Sequence, residues 1–99
     1  MSMHKILLTV NASEDLQKIK TYIAQDDIFY ADKVIDAIMT YISVHISLFP
    51  HIGRPLDTKT WFRHAVEPKF KYAIDYKVLS DRETVRIFAI YKYKQPRLT

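Results

Sequence analysis

An α+β fold, in which a helix hairpin packs on one face of a small sheet, is what this sequence predicts, and two observations carry the prediction. Apolar residues repeat at helical spacing before residue 50 and at a period of two after it. The change falls at Pro50-His51-Ile52-Gly53-Arg54-Pro55-Leu56, which holds the only glycine of the 99 residues and two of the four prolines. Both residue types interrupt periodic structure. The expected order is β-α-α-β-β-β, with a mostly antiparallel four-stranded sheet.

His4 to Val10 reads as the first strand, with Ile6, Leu8 and Val10 on one face and Lys5, Leu7 and Thr9 on the other. Asn11 and Ser13 then offer N-cap oxygens, and Glu14 and Asp15 put negative charge into a first helical turn. Leu16, Ile19, Tyr22 and Ile23 follow at helical spacing, so a helix is expected over 13–25, broken at Asp26-Asp27. From Phe29 to Phe49, the residues Ala31, Val34, Ile35, Ile38, Tyr41, Ile42 and His45 fall on one stripe and predict a second, antiparallel helix ended by Pro50. His45 on that stripe is read as a packed residue, not a catalyst.

Beyond the Gly-Arg-Pro segment, Asp57-Thr58-Lys59-Thr60 reads as a polar surface loop, Trp61 to Val66 as a strand and Glu67-Pro68 as a turn. Lys69 to Leu79 is the clearest strand. Phe70, Tyr72, Ile74, Tyr76 and Val78 form its core face, and Lys69, Lys71, Ala73, Asp75 and Lys77 its exposed one. Ser80 to Glu83 makes the next turn. Thr84 to Lys92 is the last strand, with Val85, Ile87, Ala89 and Tyr91 opposite Arg86, Phe88, Ile90 and Lys92. Residues 94–99 are expected to form a flexible basic tail.

Ninety-nine residues suit a single domain spanning 1–99, long enough to bury roughly 60–70% of its unfolded surface without covalent staples. The chain has no cysteine, which removes disulfides and thiolate zinc sites and fits a reducing compartment. No apolar run approaches the roughly 18 residues a membrane span needs, so a cytoplasmic protein is expected. Residues 1–50 carry four lysines against six acids, and residues 51–99 carry eleven Lys and Arg against five acids. The balances are −2 and +6, so an acidic partner, nucleic acid or protein, is expected to meet the sheet half.

His4, His45, His51 and His64 show no metal-ligand spacing. With one glycine there is no phosphate-cradling loop, and no serine or cysteine nucleophile stands out. Neither a metal nor any other cofactor is expected. Arg54 is read as serving the loop by capping carbonyls near it, and Arg63 as pairing with Glu67 or Asp75 unless it faces a ligand.

The order of these pieces resembles the ParE/RelE superfamily of bacterial type II toxins over essentially the whole chain. The resemblance rests on Ala12 to Ile23, Leu48-Phe49-Pro50 with Gly53-Arg54-Pro55, Arg63, Tyr72 to Val78, and Val85 to Ile90 followed by a basic end. It implies a cognate acidic antitoxin, a hetero-oligomer with it, and one of two targets. RelE-like members cut messenger RNA on the ribosome without a metal; ParE-like members are associated with poisoning DNA gyrase. RelE-like ribonucleases commonly carry an arginine where this chain has Ala73, which cannot contact a phosphate through charge. The resemblance therefore points to the ParE-like branch, with no catalytic residue firmly assigned. Arg63, Lys69, Lys71, Lys77, Arg86, Lys92, Tyr93 and Lys94 are then expected to bind the target or the antitoxin. Under the ribonuclease alternative, Arg63, His64, Lys71, Tyr91 and Lys92 would carry the chemistry.

Overall fold

Thr9 starts the first helix, four residues earlier than the cap signals at Ser13 suggest. In the computed structural model, which describes residues 3–56, 59–81 and 83–93, its Oγ1 accepts from the Ala12 N–H at 3.1 Å. The first strand, β1, is therefore short, Lys5–Leu8, and α1 runs Val10–Ala24. Val10 is 76% exposed and belongs to the helix, not to the strand face. Asp27 breaks the helical half as its position suggests, capping α2 (Ile28–Thr40) by accepting from the Tyr30 N–H at 3.1 Å.

The second helix continues beyond Thr40 as a π-helical stretch, Tyr41–Ile46. Its Ser47 N–H reaches back to the carbonyl of Ile42, the i→i+5 bond of that conformation. The wider turn keeps Val34, Ile38, Ile42 and Ile46 in one buried line. His45 is rotated out into solvent, its ring centre 5.2 Å from that of Tyr41. This corrects its place on the packed stripe, which assumed an unbroken α-helical period.

Five strands, not four, form the sheet among the described residues: β2 (Arg54–Leu56), β3 (Lys59–Glu67), β4 (Tyr72–Val78) and β5 (Thr84–Lys92) join β1 in the order β1-β5-β4-β3-β2. β1 pairs parallel with β5, and the other pairs are antiparallel. The Gly-Arg-Pro segment is thus partly a strand. Its Pro55 lacks an N–H to donate and is tolerated because β2 is an edge. Lys59 and Thr60 open β3 instead of lying in a loop, whereas Asp57 and Thr58 fall outside the described residues. Lys69 to Lys71 form a turn, with Lys71 at φ 63°, so β4 begins three residues later than its alternation suggests.

Helix residues Ala12, Val34, Ile38, Ile42 and Ile46 meet Ala65, Ile74, Tyr76, Val85, Ile87 and Ile90 of the sheet in one core. Each fully buried isoleucine contributes about 1.5–3 kcal/mol of transfer free energy. Of Tyr72, Ile74, Tyr76 and Ile87, all expected to be buried against Val34, Ile38 and Ile42, the last three are fully buried in one core with that stripe, whereas Tyr72 is only half-buried at its margin.

One irregularity decides which side chains face outward. Asp75 pairs with Ala89 but Tyr76 with Ile87, so Phe88 is an extra residue in β5. The bulge shifts the phase of the strand: Ile90 joins the core, whereas Ala89 and Tyr91 move to the opposite face. Two side chains of α1 satisfy the backbone it frees. Asn11 Nδ2 donates to the Phe88 carbonyl at 2.8 Å, and Asp15 Oδ2 accepts from the Ile90 N–H at 3.0 Å.

Candidate functional site

Alternation along β3 and β4 sends Ala65, Ile74 and Tyr76 to the helices and leaves Phe62, His64, Asp75 and Lys77 on the open face of the sheet. Cross-strand register assembles the rows of that face. Leu7, Arg86, Lys77 and Phe62 lie side by side across β1, β5, β4 and β3. Next to them run Ala89, Asp75, His64 and Arg54, and then Tyr91, Ala73 and Val66.

The middle row holds the most polar chemistry of the sheet. His64, only 7% exposed, meets Asp75 through Nδ1 and Oδ1 at 2.7 Å. A carboxylate only accepts, so Nδ1 carries the proton and donates. Tyr91 donates its hydroxyl to the other oxygen, Oδ2, at 3.0 Å. The ring centres of Tyr91 and Tyr93 lie 6.3 and 5.9 Å from that of His64. With Nδ1 protonated, Nε2 of neutral His64 presents a lone pair. It is buried and has no hydrogen-bond partner among the described residues. Toward the next row, Phe62 and Phe88 stack at 5.9 Å and Lys77 Nζ lies 5.2 Å from the Phe62 ring centre. Arg86 is exposed beside Lys77.

A latch behind the face fixes the row. The buried Tyr76 hydroxyl donates to the Pro50 carbonyl at 2.6 Å and accepts from the Gly53 N–H at 3.0 Å, while Arg63 Nη1 donates to the Gly53 carbonyl at 2.7 Å. Burial raises the Tyr76 pKa above its ordinary value, opposed by the Gly53 hydrogen bond and by Arg63. Glycine is required here by space: a Cβ on Gly53 would sit 2.8 Å from the Tyr76 hydroxyl and 2.9 Å from the His64 carbonyl oxygen. Pinned in this way, the chain enters β2 with Arg54 opposite His64.

The expected site residues scatter accordingly. His64, Tyr91 and Tyr93 come together on the open face, with Lys77 and Arg86 one row away. Arg63 lies on the helix side of the sheet and pairs with neither Glu67 nor Asp75; it supplies the carbonyl cap expected of Arg54. Lys69, Lys71 and Lys92 sit at the β3–β4 turn end. Lys92 Nζ donates to the Phe70 carbonyl and lies 4.9 Å from the Tyr72 ring centre, and Lys69 Nζ lies 5.3 Å from that of Phe70. Lys94 and the expected tail fall outside the described residues. Ala73 is on the open face but fully buried, not exposed, between its strand partners Val66 and Tyr91. Asp75 and Arg54 were missed as site residues. The signal for Asp75 was an acid in mid-strand, where acids are depleted; none existed for Arg54, whose place depends on pairing of β2.

The ParE toxin family of type II toxin-antitoxin systems, parDE, matches residues 6–96. The chain belongs to that family. Solved structures similar to this ParE-family chain include the RelBE2 toxin-antitoxin complex of Mycobacterium tuberculosis, at TM-score 0.71 and 18% identity, covering 96% of this chain and 97% of that one. A chain of the chromosomal ParDE system of P. aeruginosa is similar at TM-score 0.72 and 16% identity, covering 91% of this chain and 96% of that one. A mutant of E. coli toxin RelE in the free state follows at 0.63 and 13%, covering 95% and 86%. At these identities the likeness establishes the fold. No curated protein matches the ParE-family chain. Among its described residues no group of three or more His, Cys, Asp or Glu is placed to hold a metal ion, and no helix is long and apolar enough to cross a membrane.

Proposed function

We propose that this chain is the toxin component of a type II toxin-antitoxin system, neutralised in a hetero-oligomer by a cognate acidic antitoxin, and that it acts by binding and inhibiting DNA gyrase. The observation that carries this reading is the family match over residues 6–96. Ala73 supports the non-enzymatic form of it: at the β4 position where RelE-like ribonucleases commonly carry an arginine, this chain has a buried methyl group, which cannot donate to a phosphate. The +6 balance of residues 51–99 suits an acidic antitoxin segment.

The test runs two reactions side by side with purified protein, gyrase supercoiling of plasmid DNA and reconstituted translation with primer-extension readout of the messenger. Lost supercoiling with intact messenger is expected. Harmless expression of the chain without a partner would mean a toxin fold that has lost its activity.

One observation favours a second reading, RelE-like metal-free endoribonuclease. Asp75 engages Nδ1 of His64 and so directs Nε2 to the role of general base, the group that takes the proton of an attacking ribose 2′-OH. The new bond forms from that oxygen to phosphorus, and the 5′-oxygen leaves and must be protonated. Of the residues expected for this chemistry, His64 and Tyr91 meet on the open face, whereas Arg63 lies on the helix side and Lys71 and Lys92 sit at the β3–β4 turn end. Codon-phased cuts abolished by His64→Gln would establish it over the gyrase reading.

A further inference from the structure

We propose that the open face holds a binding site for a phosphomonoester group, built from Arg54 and His64. It is independent of the gyrase reading and requires no cleavage. The site rests on three features. Register puts Arg54 directly across from His64 on the side away from Asp75, and directly opposed residues in an antiparallel pair have Cα atoms about 4.5–5.5 Å apart. Arg54 is exposed, with no ion pair or hydrogen bond among the described residues. Nε2 of His64 is buried and unpartnered, the aligned ring held by Asp75. A buried polar nitrogen without a partner is costly.

The two groups ask for complementary things. A guanidinium presents a planar fork of donors that grips two oxygens of one anion. Neutral Nε2, with Nδ1 already donating, accepts a proton. A phosphomonoester or inorganic phosphate supplies both: two anionic oxygens for Arg54 and one ionisable P–O–H to share with Nε2. Sulfate and a phosphodiester lack that proton near neutral pH, and a carboxylate has only two oxygens in all. The surroundings favour negative charge, because Lys77 and Arg86 lie one row away and the face's acid, Asp75, is engaged with His64 and Tyr91. Because Nε2 is buried, the atoms over it must move for the anion to enter, and Arg54, exposed and with no ion pair or hydrogen bond among the described residues, can then close on it.

Inorganic phosphate, sulfate, hexaglutamate and octauridylate with and without a 5′-phosphate are titrated into ¹⁵N-labelled protein, following the His64 ring and Arg54 side-chain nitrogens. Saturable movement of both signals by inorganic phosphate is expected, with sulfate weaker by roughly tenfold. Arg54→Ala should lose roughly tenfold in affinity and Arg54→Lys part of that, since a lysine keeps the charge but not the fork. Both variants are surface changes that leave the core intact. If 5′-phosphorylated octauridylate binds tighter than inorganic phosphate, the group comes from a nucleic-acid end; if not, it is free phosphate. The proposal is overturned if neither signal moves, if Arg54→Ala binds as wild type, or if sulfate or hexaglutamate equals phosphate.

Discussion

Gly53 shows how one residue ties the sheet to the segment that precedes it. Its φ is not positive, so the glycine is not there for a left-handed turn; it lets the backbone pass against Tyr76 and His64 at distances no Cβ tolerates. Gly53→Ala is expected to destabilise by about 1–3 kcal/mol through overpacking. Tyr76→Phe should cost about 1–3 kcal/mol by stranding the buried Gly53 N–H and Pro50 carbonyl. In a double-mutant cycle the two changes should couple, because the lost hydroxyl relieves one of the clashes but not that with the His64 backbone. Additive denaturation midpoints would show that the latch is not a unit. The sequence marked Gly53 and Arg54 as an interruption. It could not show that Arg63 would cap the glycine carbonyl or that Arg54 would lie exposed opposite His64, because both outcomes depend on a strand of three residues finding its partner.

At the scale of elements, what was legible is what repeats locally. The helical stripe, the alternation of β4 and the break at Asp26-Asp27 follow from neighbours in sequence, and each is present. The parallel pairing of β1 with β5 and the bulge at Phe88 are long-range, and the bulge reversed the facing of Ile90 and Tyr91 from a strict period of two. Asp15 had looked like a charge for the helix dipole, yet its carboxylate receives the Ile90 N–H. Asp15→Ala should therefore lower stability by about 1–3 kcal/mol, and the Ile90 amide should exchange with solvent faster than its neighbours. Uniform exchange along β5 would refute the clip. The β4–β5 turn gives a pH-dependent counterpart. The Glu83 N–H, with the Thr84 hydroxyl and N–H, holds the Asp81 carboxyl below its ordinary 3.8. A carboxyl lowered on folding stabilises above its unfolded pKa and loses that contribution as pH falls through it. Melting temperature measured from about pH 6 down to about pH 2.5 should fall less steeply in Asp81→Asn than in wild type, and parallel curves would exclude the turn as the cause.

The whole molecule is two layers of different character, a helix hairpin and a basic sheet, joined by a core that holds Tyr76 and has Tyr41 and Tyr72 packed at its margin. Tyr41 from the π-helical stretch and Tyr72 and Tyr76 from β4 all pack toward that core. Burial raises the pKa of all three above 10.0, with Glu67 adding to the effect at Tyr41 and Tyr30 at Tyr72. A group whose pKa is raised by folding holds its proton more tightly in the native state. Its stabilisation is complete below the unfolded value and is lost as pH rises through the folded one. The layers should therefore separate in alkali, with melting temperature steady to about pH 9.5 and falling steeply above about pH 10. Lysines also discharge in this range, so the decline alone does not identify the tyrosines. Tyr76→Phe does, because it removes one of the titrating groups and leaves every lysine in place. That variant should start from a lower melting temperature, for want of the latch, and then decline less steeply than wild type as the pH rises. If the two curves fall in parallel, the alkaline weakness belongs to the charged surface of the sheet half and not to the seam between the layers.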